Sequence, residues 1–374
     1  NGKPIYASKA FSCKEIYRIV LSEGLDVEVV SGGELYTALQ AGVPGSQIHF
    51  QGNNKSAGEL TMAVENGVGD IVVDNLYELE RLNAIAGEHS MVAPISFRIK
   101  PGIDAHTHEF IRTGQVDSKF GLDLASGEAM EALRRAKTME HVAVKGLHCH
   151  IGSQILEKAP FVHAAEVMLQ FYAKVRDELG MAFEHLNLGG GFGIHYTAQD
   201  DAIPYEEYME DVSAMVHSTC EKLGLELPRI YIEPGRSIVG EAGITLYTVG
   251  SIKEIPGVRT YVAIDGGMFD NPRYALYQSA YTCCIANKAS QPADFTATIA
   301  GKCCESGDLI QEHTLIQKPE EGDILAVLST GAYNYSMASN YNRNLKPACV
   351  MVSKGESRIV IKGETYEDLI RNDV

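Results

Sequence analysis

The earliest candidate for chemistry is Lys9, which follows the short apolar stretch IYAS at residues 5–8. Most lysines at a strand end simply point to water. A lysine held in a pocket differs, because burial lowers the pKa of its amine and makes it a nucleophile. The role of Lys9 therefore depends on which other groups the fold brings beside it.

Three consecutive glycines, Gly189, Gly190 and Gly191, end another apolar stretch. They have no side chains to keep an anion such as phosphate away from their N–H groups. Gly235 and Arg236 end the next apolar stretch, and they would add N–H donors and a guanidinium fork. A tight turn explains three glycines alone at least as often, but glycines and arginine together favour a phosphate site.

Two more side chains occur at similar positions. Glu233 is suited to pair with a protonated ring nitrogen, or alternatively with a nearby arginine. His150 is suited to stack on a planar ring, or alternatively to be an ordinary hydrogen-bonded histidine. A lysine amine, a phosphate site, a carboxylate and a flat imidazole together describe a pocket for pyridoxal 5′-phosphate, with Lys9 as its Schiff-base lysine.

Short β-branched or apolar runs alternate with amphipathic runs in the first two thirds of the chain. They predict strands at 4–7, 27–30, 47–50, 70–73, 94–99, 144–148, 185–188 and 229–232. Helices are predicted at 12–23, 34–41, 56–66, 76–86, 127–136, 161–179 and 205–223. Ser12 with Glu15 three residues later predicts a capping box for the first helix. Eight such strands favour a (β/α)8 TIM-type barrel over an open doubly wound sheet.

The candidate residues follow different predicted strands. Lys9 follows the first, His150 the sixth, Gly189 the seventh and Glu233 the eighth. In a barrel these strand ends meet at one rim, where the active sites of such folds lie, and the loops after strands seven and eight commonly bind phosphate. The barrel therefore explains why these residues are far apart in sequence.

The pattern changes after residue 240. Runs such as RTYVAIDGGMF, DFTATIAGK and GDILAVLS predict successive strands with turns between them, and helical pattern is scarce until residues 364–370. We predict an α/β barrel domain over residues 1–240 and a mostly β domain over residues 241–374.

Composition limits the class of partner. The 374 residues carry a formal charge of −17, so nucleic acid and anionic membrane surfaces are poor partners. No apolar run approaches the ~20 residues that span a bilayer, and no signal peptide is visible. The chain opens on Asn1 directly before a predicted strand, so we expect further residues upstream. Eight cysteines with two Cys-Cys pairs and no C-x-x-C indicate reduced thiols, hence the cytoplasm.

Seven motifs occur in order along nearly the whole chain: YASKA, VVSGGEL, HCHIGSQI, LNLGGGFG, IEPGRS, CCESGD and GAYNYSMASNYN. Each alone is weak, but together they resemble the diaminopimelate decarboxylases, in the alanine-racemase-like group (fold type III) of pyridoxal-phosphate enzymes. The pair HIGSQ and CESGD resembles this family more than its ornithine or arginine relatives. The resemblance implies decarboxylation of meso-2,6-diaminopimelate to L-lysine and CO2, the last step of lysine biosynthesis.

The resemblance also implies residue roles. Lys9 would bind the cofactor covalently, with His150 against its ring and Glu233 on its ring nitrogen. The residues implied around the rest of the cofactor are Ser153, Gly189, Gly190, Gly191, Gly235, Arg236 and Tyr333.

For the substrate, the resemblance implies that its distal carboxylate is held by Arg236, Arg273 and Tyr277, with Tyr333 also in contact. Glu305 would bind the distal ammonium, and Cys304 would act as an acid at the reacting carbon. In the family Cys304 and Glu305 come from the second subunit of a homodimer, so one chain alone would not complete a site.

Two positions depart from the family pattern. Relatives often have Asn where this chain has Phe11, and Asp where it has Glu28. Both positions lie near the cofactor in relatives. Neither change removes the Lys9 amine or a proton donor, so we expect the chemistry to be retained.

Three alternatives remain at this point. A barrel metal hydrolase would use the paired histidines His106, His108, His148 and His150, although no carboxylate completes an obvious metal set. A regulatory relative without activity is expected to lack Lys9 or Cys304, which are both present. An enzyme for ornithine, arginine or carboxynorspermidine would not need both Arg273 and Glu305.

Overall fold

The structure is a computed structural model that describes residues 2–103 and 118–374. The chain forms two compact units, and each is described by itself. The barrel unit comprises residues 1–193 and 202–235, and the β unit comprises residues 194–201 and 236–374.

Parallel strands form the centre of the barrel unit. They are β1 (Gly2–Ala7), β2 (Asp26–Val29), β3 (Ile48–Phe50), β4 (Asp70–Val73), β5 (Ala93–Lys100), β6 (Leu122–Asp123), β7 (Val142–His148), β8 (His185–Asn187) and β9 (Arg229–Ile232). Neighbours pair in the order β4-β3-β2-β1-β9-β8-β7-β5, and β4 also pairs with β5, which closes an eight-stranded barrel. The two-residue strand β6 pairs with β5 outside this ring. The predicted TIM-type barrel is confirmed.

Helices connect these strands: α1 (Lys14–Ser22), α2 (Gly32–Ala41), α3 (Ala57–Glu65), α4 (Leu76–Glu88), α5 (Glu128–Ala136), α6 (Ala159–Leu179) and α7 (Tyr205–Leu223). The predicted capping box at Ser12 is wrong. Helix α1 begins at Lys14, its N-cap is Cys13, and no side chain caps it. The Ser12 hydroxyl instead shares a 2.8 Å hydrogen bond with the Tyr17 hydroxyl. Helix α3 does have a capping box, in which Ser56 and Glu59 each accept the other's N–H.

The interior of the barrel is polar. Asp26 and His49 lie on adjacent strands, 3.5 Å apart, and His49 is also 3.5 Å from Asp70. Ser96 donates a 2.9 Å hydrogen bond to Asp70 and lies 2.8 Å from the Nε2 of His185. Since successive strand residues face opposite sides, the residues two positions further along these strands also face the interior, nearer the C-terminal rim.

The β unit contains α8 (Arg236–Val239), β10 (Thr245–Ile255), β11 (Arg259–Ile264), α9 (Arg273–Tyr277), β12 (Cys283–Ile285), β13 (Phe295–Ala300), β14 (Leu309–Ile316), β15 (Ile324–Val327), β16 (Cys349–Ser353), β17 (Glu356–Ile361) and α10 (Tyr366–Ile370). Six strands form a sheet in the order β12-β15-β10-β11-β13-β14, in which only β11 and β13 pair in parallel. The hairpin β16–β17 is separate. Apolar side chains such as Val262, Ile299 and Leu325 fill the core.

Candidate active site

Lys9 lies just beyond the C-terminal end of β1. The strand stops at Ala7, and residues Ser8–Ala10 form a 3-10 turn. The Lys9 Nζ lies 3.5 Å from Glu28 Oε1, and the lysine side chain is 34% exposed. The amine therefore faces a buried carboxylate on one side while the side chain stays accessible, so this lysine is less deeply buried than the sequence analysis considered.

A second carboxylate fixes the turn that carries Lys9. Glu34 accepts a 2.9 Å hydrogen bond from the Ser8 hydroxyl and a 2.8 Å hydrogen bond from the Val30 N–H. Glu34 lies in the first turn of α2, whose N-cap Ser31 accepts the N–H of Glu34 in return. The VVSGGE segment thus positions Ser8, the residue immediately before Lys9.

Glu28 is completely buried beside Lys9. Its Oε2 has no hydrogen-bond partner among the described residues. Burial raises the pKa of Glu28 to about 7, although the neighbouring Lys9 charge acts in the opposite direction. The sequence identified Glu28 only as a departure from the family pattern. Strand alternation from the polar Asp26 was the signal that it faces the barrel interior.

Glu233 lies just beyond β9 and is held from three sides. It accepts hydrogen bonds from Asn187 at 2.7 Å, from Gln51 and, at 3.1 Å, from the Nε2 of His148. Burial alone would raise the pKa of Glu233, but His148, Lys9 and Asn187 outweigh it, and the pKa is lowered. A buried carboxylate kept ionised in this way is suited to pair with a protonated ring nitrogen.

Three of these partners were missed by the sequence analysis as members of the site. Gln51 and Asn187 follow His49 and His185 by two residues, so period-two alternation indicates that they face the same interior. His148 had been considered only as a metal ligand. Its hydrogen bond to Glu233 instead makes it a support for that carboxylate.

His150 follows β7 and contacts the glycine loop. Its Nδ1 accepts a 3.2 Å hydrogen bond from the Gly190 N–H. Burial, assisted by the charges of Lys9 and Arg98, lowers the pKa of His150 well below its usual value. The imidazole is therefore neutral and planar, which suits stacking on an aromatic ring.

The glycine loop is shaped by close backbone packing. A Cβ at Gly190 would lie 2.0 Å from the Glu233 carbonyl oxygen, and one at Gly191 would lie 2.3 Å from that of Gly152. The Gly189 N–H donates to Asn187 Oδ1 at 2.9 Å, so two of the three glycine N–H groups are already used. The tight-turn explanation therefore accounts for much of this motif.

Two N–H groups at this rim remain available for an anion. Within the described residues, no hydrogen bond uses the N–H of Gly191 or of Gly235. Ser153 is half-buried in the loop after β7. That loop is joined to the glycine loop by a bridge between Ile155 and Phe192. A phosphate site made of Gly191, Gly235 and Ser153 fits this arrangement.

The β unit brings two arginines into one aromatic cluster. Arg236 bonds the Tyr196 hydroxyl and lies 4.7 Å from the centre of the Tyr333 ring. Arg273 lies 4.5 Å from the centre of the Tyr196 ring and donates a 2.9 Å hydrogen bond to the Tyr281 hydroxyl. Both guanidinium side chains are buried. No local sequence motif indicates Tyr196 or Tyr281 as members of the site.

In the part of the chain that the structure describes, Arg273 has no ion-pair partner. Among the described residues, no carboxylate lies within 4.0 Å of its guanidinium group. A buried cation without a counter-ion is costly unless an anion binds there. Tyr277, at the end of α9, is half-buried on the same short helix. This cluster is suited to a ligand carboxylate or phosphate.

Cys304 and Glu305 lie on an exposed loop of the β unit. The Cys304 N–H donates a 2.7 Å hydrogen bond to Asn342 Oδ1. The structure therefore places Lys9, His150 and Glu233 in the barrel unit and Arg236, Arg273 and Tyr333 in the β unit. Cys304 and Glu305 also belong to the β unit, where they are exposed.

Two other observations concern the alternatives. His106 and His108 lie outside the described residues. In the described part of the chain, no three His, Cys, Asp or Glu side chains are grouped to hold a metal. Over the same residues, no helix is long and apolar enough to cross a membrane.

A parallel (β/α)8 barrel with a lysine, a neutral histidine and an ionised carboxylate at its C-terminal rim defines a class of pyridoxal-phosphate enzymes. Residues 1–240 match the family of pyridoxal-dependent decarboxylases, at its pyridoxal-binding domain. The predicted cofactor is thereby confirmed.

Relatives identify the family more narrowly. The diaminopimelate decarboxylase of Bacillus subtilis is 51% identical over 369 residues, covering 99% of this chain and 84% of that protein. That of Staphylococcus aureus is 48% identical, covering 98% of this chain and 86% of that protein. The crystal structure of the M. jannaschii diaminopimelate decarboxylase matches with a TM-score of 0.94 at 37% identity, covering 100% of this chain and 85% of that one. The chain belongs to the diaminopimelate decarboxylase family, as its motifs predicted.

Proposed function

We propose that this protein removes CO2 from meso-2,6-diaminopimelate and releases L-lysine, the last step of lysine biosynthesis. The observation that carries the proposal is Lys9 at the barrel rim, with its amine beside buried Glu28, in a unit that also holds Glu233 ionised. The family supports the substrate, since a structure of the M. jannaschii relative is a complex with L-lysine.

Most of the residues proposed to hold the cofactor belong to the barrel unit. Lys9 attaches it covalently, His150 lies against its ring, and Glu233 keeps its ring nitrogen protonated. When bound, pyridoxal phosphate supplies the conjugated system that accepts the electron pair left by the departing CO2. The residues proposed around its phosphate and outer edge are Ser153, Gly189, Gly190, Gly191, Gly235, Arg236 and Tyr333. Of the three loop glycines, we assign phosphate contact to Gly191, since the other N–H groups bond Asn187 and His150.

Decarboxylation must replace the lost carboxylate by a proton on the same carbon. We assign this proton transfer to Cys304 or to Lys9. Glu28, with its pKa raised to about 7, can exchange a proton with Lys9 near neutral pH.

The distal end of the substrate would select diaminopimelate. We assign its carboxylate to Arg236, Arg273 and Tyr277, with Tyr333 in contact, because the two buried guanidinium groups suit an anion. We assign its ammonium to Glu305.

We also propose a homodimer in which Cys304 and Glu305 act in the partner's site. The exposed loop that carries them supports this, as do apolar side chains of the β16–β17 hairpin, where Val352 is 74% and Ile359 64% exposed. The adjacent cysteine pairs, all thiols, support a reducing cytoplasmic location.

Lysine release tests this function. The purified protein with added pyridoxal phosphate is supplied in parallel with meso-diaminopimelate, ornithine, arginine and carboxynorspermidine. We expect rapid lysine formation and little reaction of the other three. Turnover of one of those instead would keep the role of Lys9 and reject our assignment of Arg273 and Glu305. No turnover of any substrate would contradict the proposal.

A further inference from the structure

Asp308 is a buried carboxylate whose two oxygens both accept backbone N–H groups. Its Oδ1 accepts the Met268 N–H at 2.6 Å, and its Oδ2 accepts the Cys303 N–H at 2.7 Å. The side chain is 3% exposed. In the described part of the chain no cation lies within 4.0 Å of it. Charged hydrogen bonds to N–H groups, rather than an ion pair, therefore stabilise this charge.

These hydrogen bonds join two loops of the β unit. One is the loop after β11 that contains Met268, and the other is the loop 301–308 that carries Cys304 and Glu305. The backbone adds one further link, because the Lys302 N–H donates to the Gly266 carbonyl at 2.9 Å. Within the second loop, the Gly301 N–H donates to the Asp308 carbonyl at 2.9 Å, which closes the base of that loop. Asp308 thus fixes the base of the Cys304–Glu305 loop.

Two glycines leave the space that Asp308 occupies. A Cβ at Gly301 would lie 2.2 Å from Asp308 Oδ2, and one at Gly267 would lie 2.6 Å from the same atom. The carboxylate therefore packs directly against the backbone of both loops. A larger side chain at either glycine would displace it.

The tip of the loop is held from another direction. Asn342 accepts the Cys304 N–H at 2.7 Å, and the Asn344 side chain contacts Cys303 Sγ at 3.7 Å. Asn342 has a φ of 51°, in the left-handed region that asparagine tolerates better than most residues. Asp308 and Asn342 together fix the backbone at Cys303 and Cys304.

We propose that Asp308 is a positioning residue for the decarboxylation, which holds the Cys304–Glu305 loop in the shape that presents the thiol and the carboxylate to the reacting molecule. The inference rests on the proposed function, because it assigns Asp308 a role through Cys304 and Glu305. Asp308 itself does not touch the substrate in this scheme.

A double-mutant cycle separates positioning from general stability. Asp308→Asn keeps the side-chain volume but turns an NH2 group toward a backbone N–H. We expect kcat/KM for meso-diaminopimelate to fall by roughly 10- to 100-fold, with cofactor affinity unchanged. In a Cys304→Ser, Glu305→Gln background the same change should cost less than about threefold. Asp294→Asn, at an exposed position of the same unit, is the matched control and should change neither quantity.

Thiol labelling reports the loop without any turnover. Cys303 is buried, and burial together with Asp308 raises the pKa of its thiol to about 11, so iodoacetamide should modify it slowly. In Asp308→Asn we expect Cys303 to be labelled at least about tenfold faster, as read by mass spectrometry. If Asp308→Asn does not fold, Asn342→Gly removes the second support while suiting the left-handed backbone. Asn342→Gly should also lower kcat/KM and speed Cys303 labelling, but both changes should be smaller than those of Asp308→Asn.

Equal losses from Asp308→Asn in both backgrounds would overturn the inference, and so would unchanged Cys303 labelling. Wild-type protein that releases no lysine would reject the proposed function instead. Faster Cys303 labelling in that case would still show that Asp308 fixes the loop, but with no decarboxylation to position for, the inference would be withdrawn.

Discussion

The hydrophobic core of the β unit differs from the interior of the barrel. Inside the barrel unit, Asp26, His49 and Asp70 are buried and contact each other across three adjacent strands. The core of the β unit is apolar, with Val262 and Ile299 completely buried. The chemical groups of the barrel unit thus lie in its interior, whereas Cys304 and Glu305 of the β unit lie on an exposed loop.

This difference indicates a division of labour, in which the buried barrel groups serve the cofactor chemistry and the exposed loop of the β unit contacts a separate molecule or a second copy. A buried group has its charge state set by its neighbours, as the lowered pKa of Glu233 and the raised pKa of Glu28 show. Such groups suit the cofactor chemistry, which needs fixed protonation states. An exposed loop suits contact with a separate molecule or a second copy. Changes of the buried barrel groups should therefore abolish the cofactor chemistry, whereas on the exposed loop a change of Glu305 should alter selectivity and a change of Cys304 should impair proton transfer.

The largest effect is expected at Lys9. Lys9→Ala removes the amine that attaches the cofactor and should lower kcat at least about a thousandfold. The matched control is Lys14→Ala, at an exposed position of α1, which should keep wild-type turnover. Lysine release measured at saturating substrate checks this, and near-normal rates from Lys9→Ala would reject the scheme.

A smaller loss is expected at Glu233. Glu233→Gln removes the charge that keeps the ring nitrogen protonated, and it sets an NH2 group against Asn187 and Gln51. We expect kcat to fall by about 100-fold while cofactor still binds. Absorbance titration with pyridoxal phosphate, run beside the kinetics, separates the two effects. Full activity would show that Glu233 is only structural.

In the β unit the expected change is in selectivity. Glu305→Ala should lower kcat/KM for meso-diaminopimelate by roughly 10- to 100-fold, because a charged hydrogen bond to the distal ammonium is lost. The preference over 2-aminopimelate, which lacks that ammonium, should fall equally. Competition between the two substrates measures it. An unchanged preference would remove Glu305 from the substrate site.

The smallest effect concerns stability and pH. Burial alone would lower the pKa of His49, but Asp26 and Asp70 outweigh it and raise the pKa to about 9. A raised pKa stabilises the fold fully below the unfolded value of about 6.5, and this stabilisation is lost as pH rises through about 9. We expect it to contribute on the order of 2 kcal/mol to the free energy of unfolding.

Urea denaturation at pH 6.5 and pH 10 measures this contribution. His49→Gln should lose the part of the pH dependence that the histidine supplies. His163→Gln, at an exposed position of α6, is the matched control and should keep it. Identical pH profiles for wild type and His49→Gln would show that the buried pairs do not stabilise the folded barrel.

Much of the barrel could be predicted because its elements have strong local patterns. The strands Asp70–Val73 and Arg229–Ile232 and the helix Tyr205–Leu223 agree with their predicted bounds. The helix cap at Ser12 was wrong because its hydroxyl bonds Tyr17 instead. A competing partner of this kind depends on tertiary packing, which local pattern does not contain.

The site was predictable only where one motif carried it. Lys9, His150 and Glu233 stand at strand ends with recognisable neighbours, so sequence identified them. Tyr196 lies in the segment 194–201, which belongs to the β unit although barrel residues flank it in sequence. Tyr196 contacts the arginines only because this segment belongs to the β unit, and no local sequence pattern shows that assignment.

The proposed division of labour requires that a barrel unit and a β unit of different copies complete one site. Mixing two inactive chains tests this most directly: one carries Lys9→Ala, and the other carries Cys304→Ala with Glu305→Ala. Random pairing makes half of the dimers mixed, each with one intact site, so we predict that lysine release recovers to about a quarter of the wild-type rate. A co-expressed mixture no more active than the separate variants would contradict a site shared between subunits.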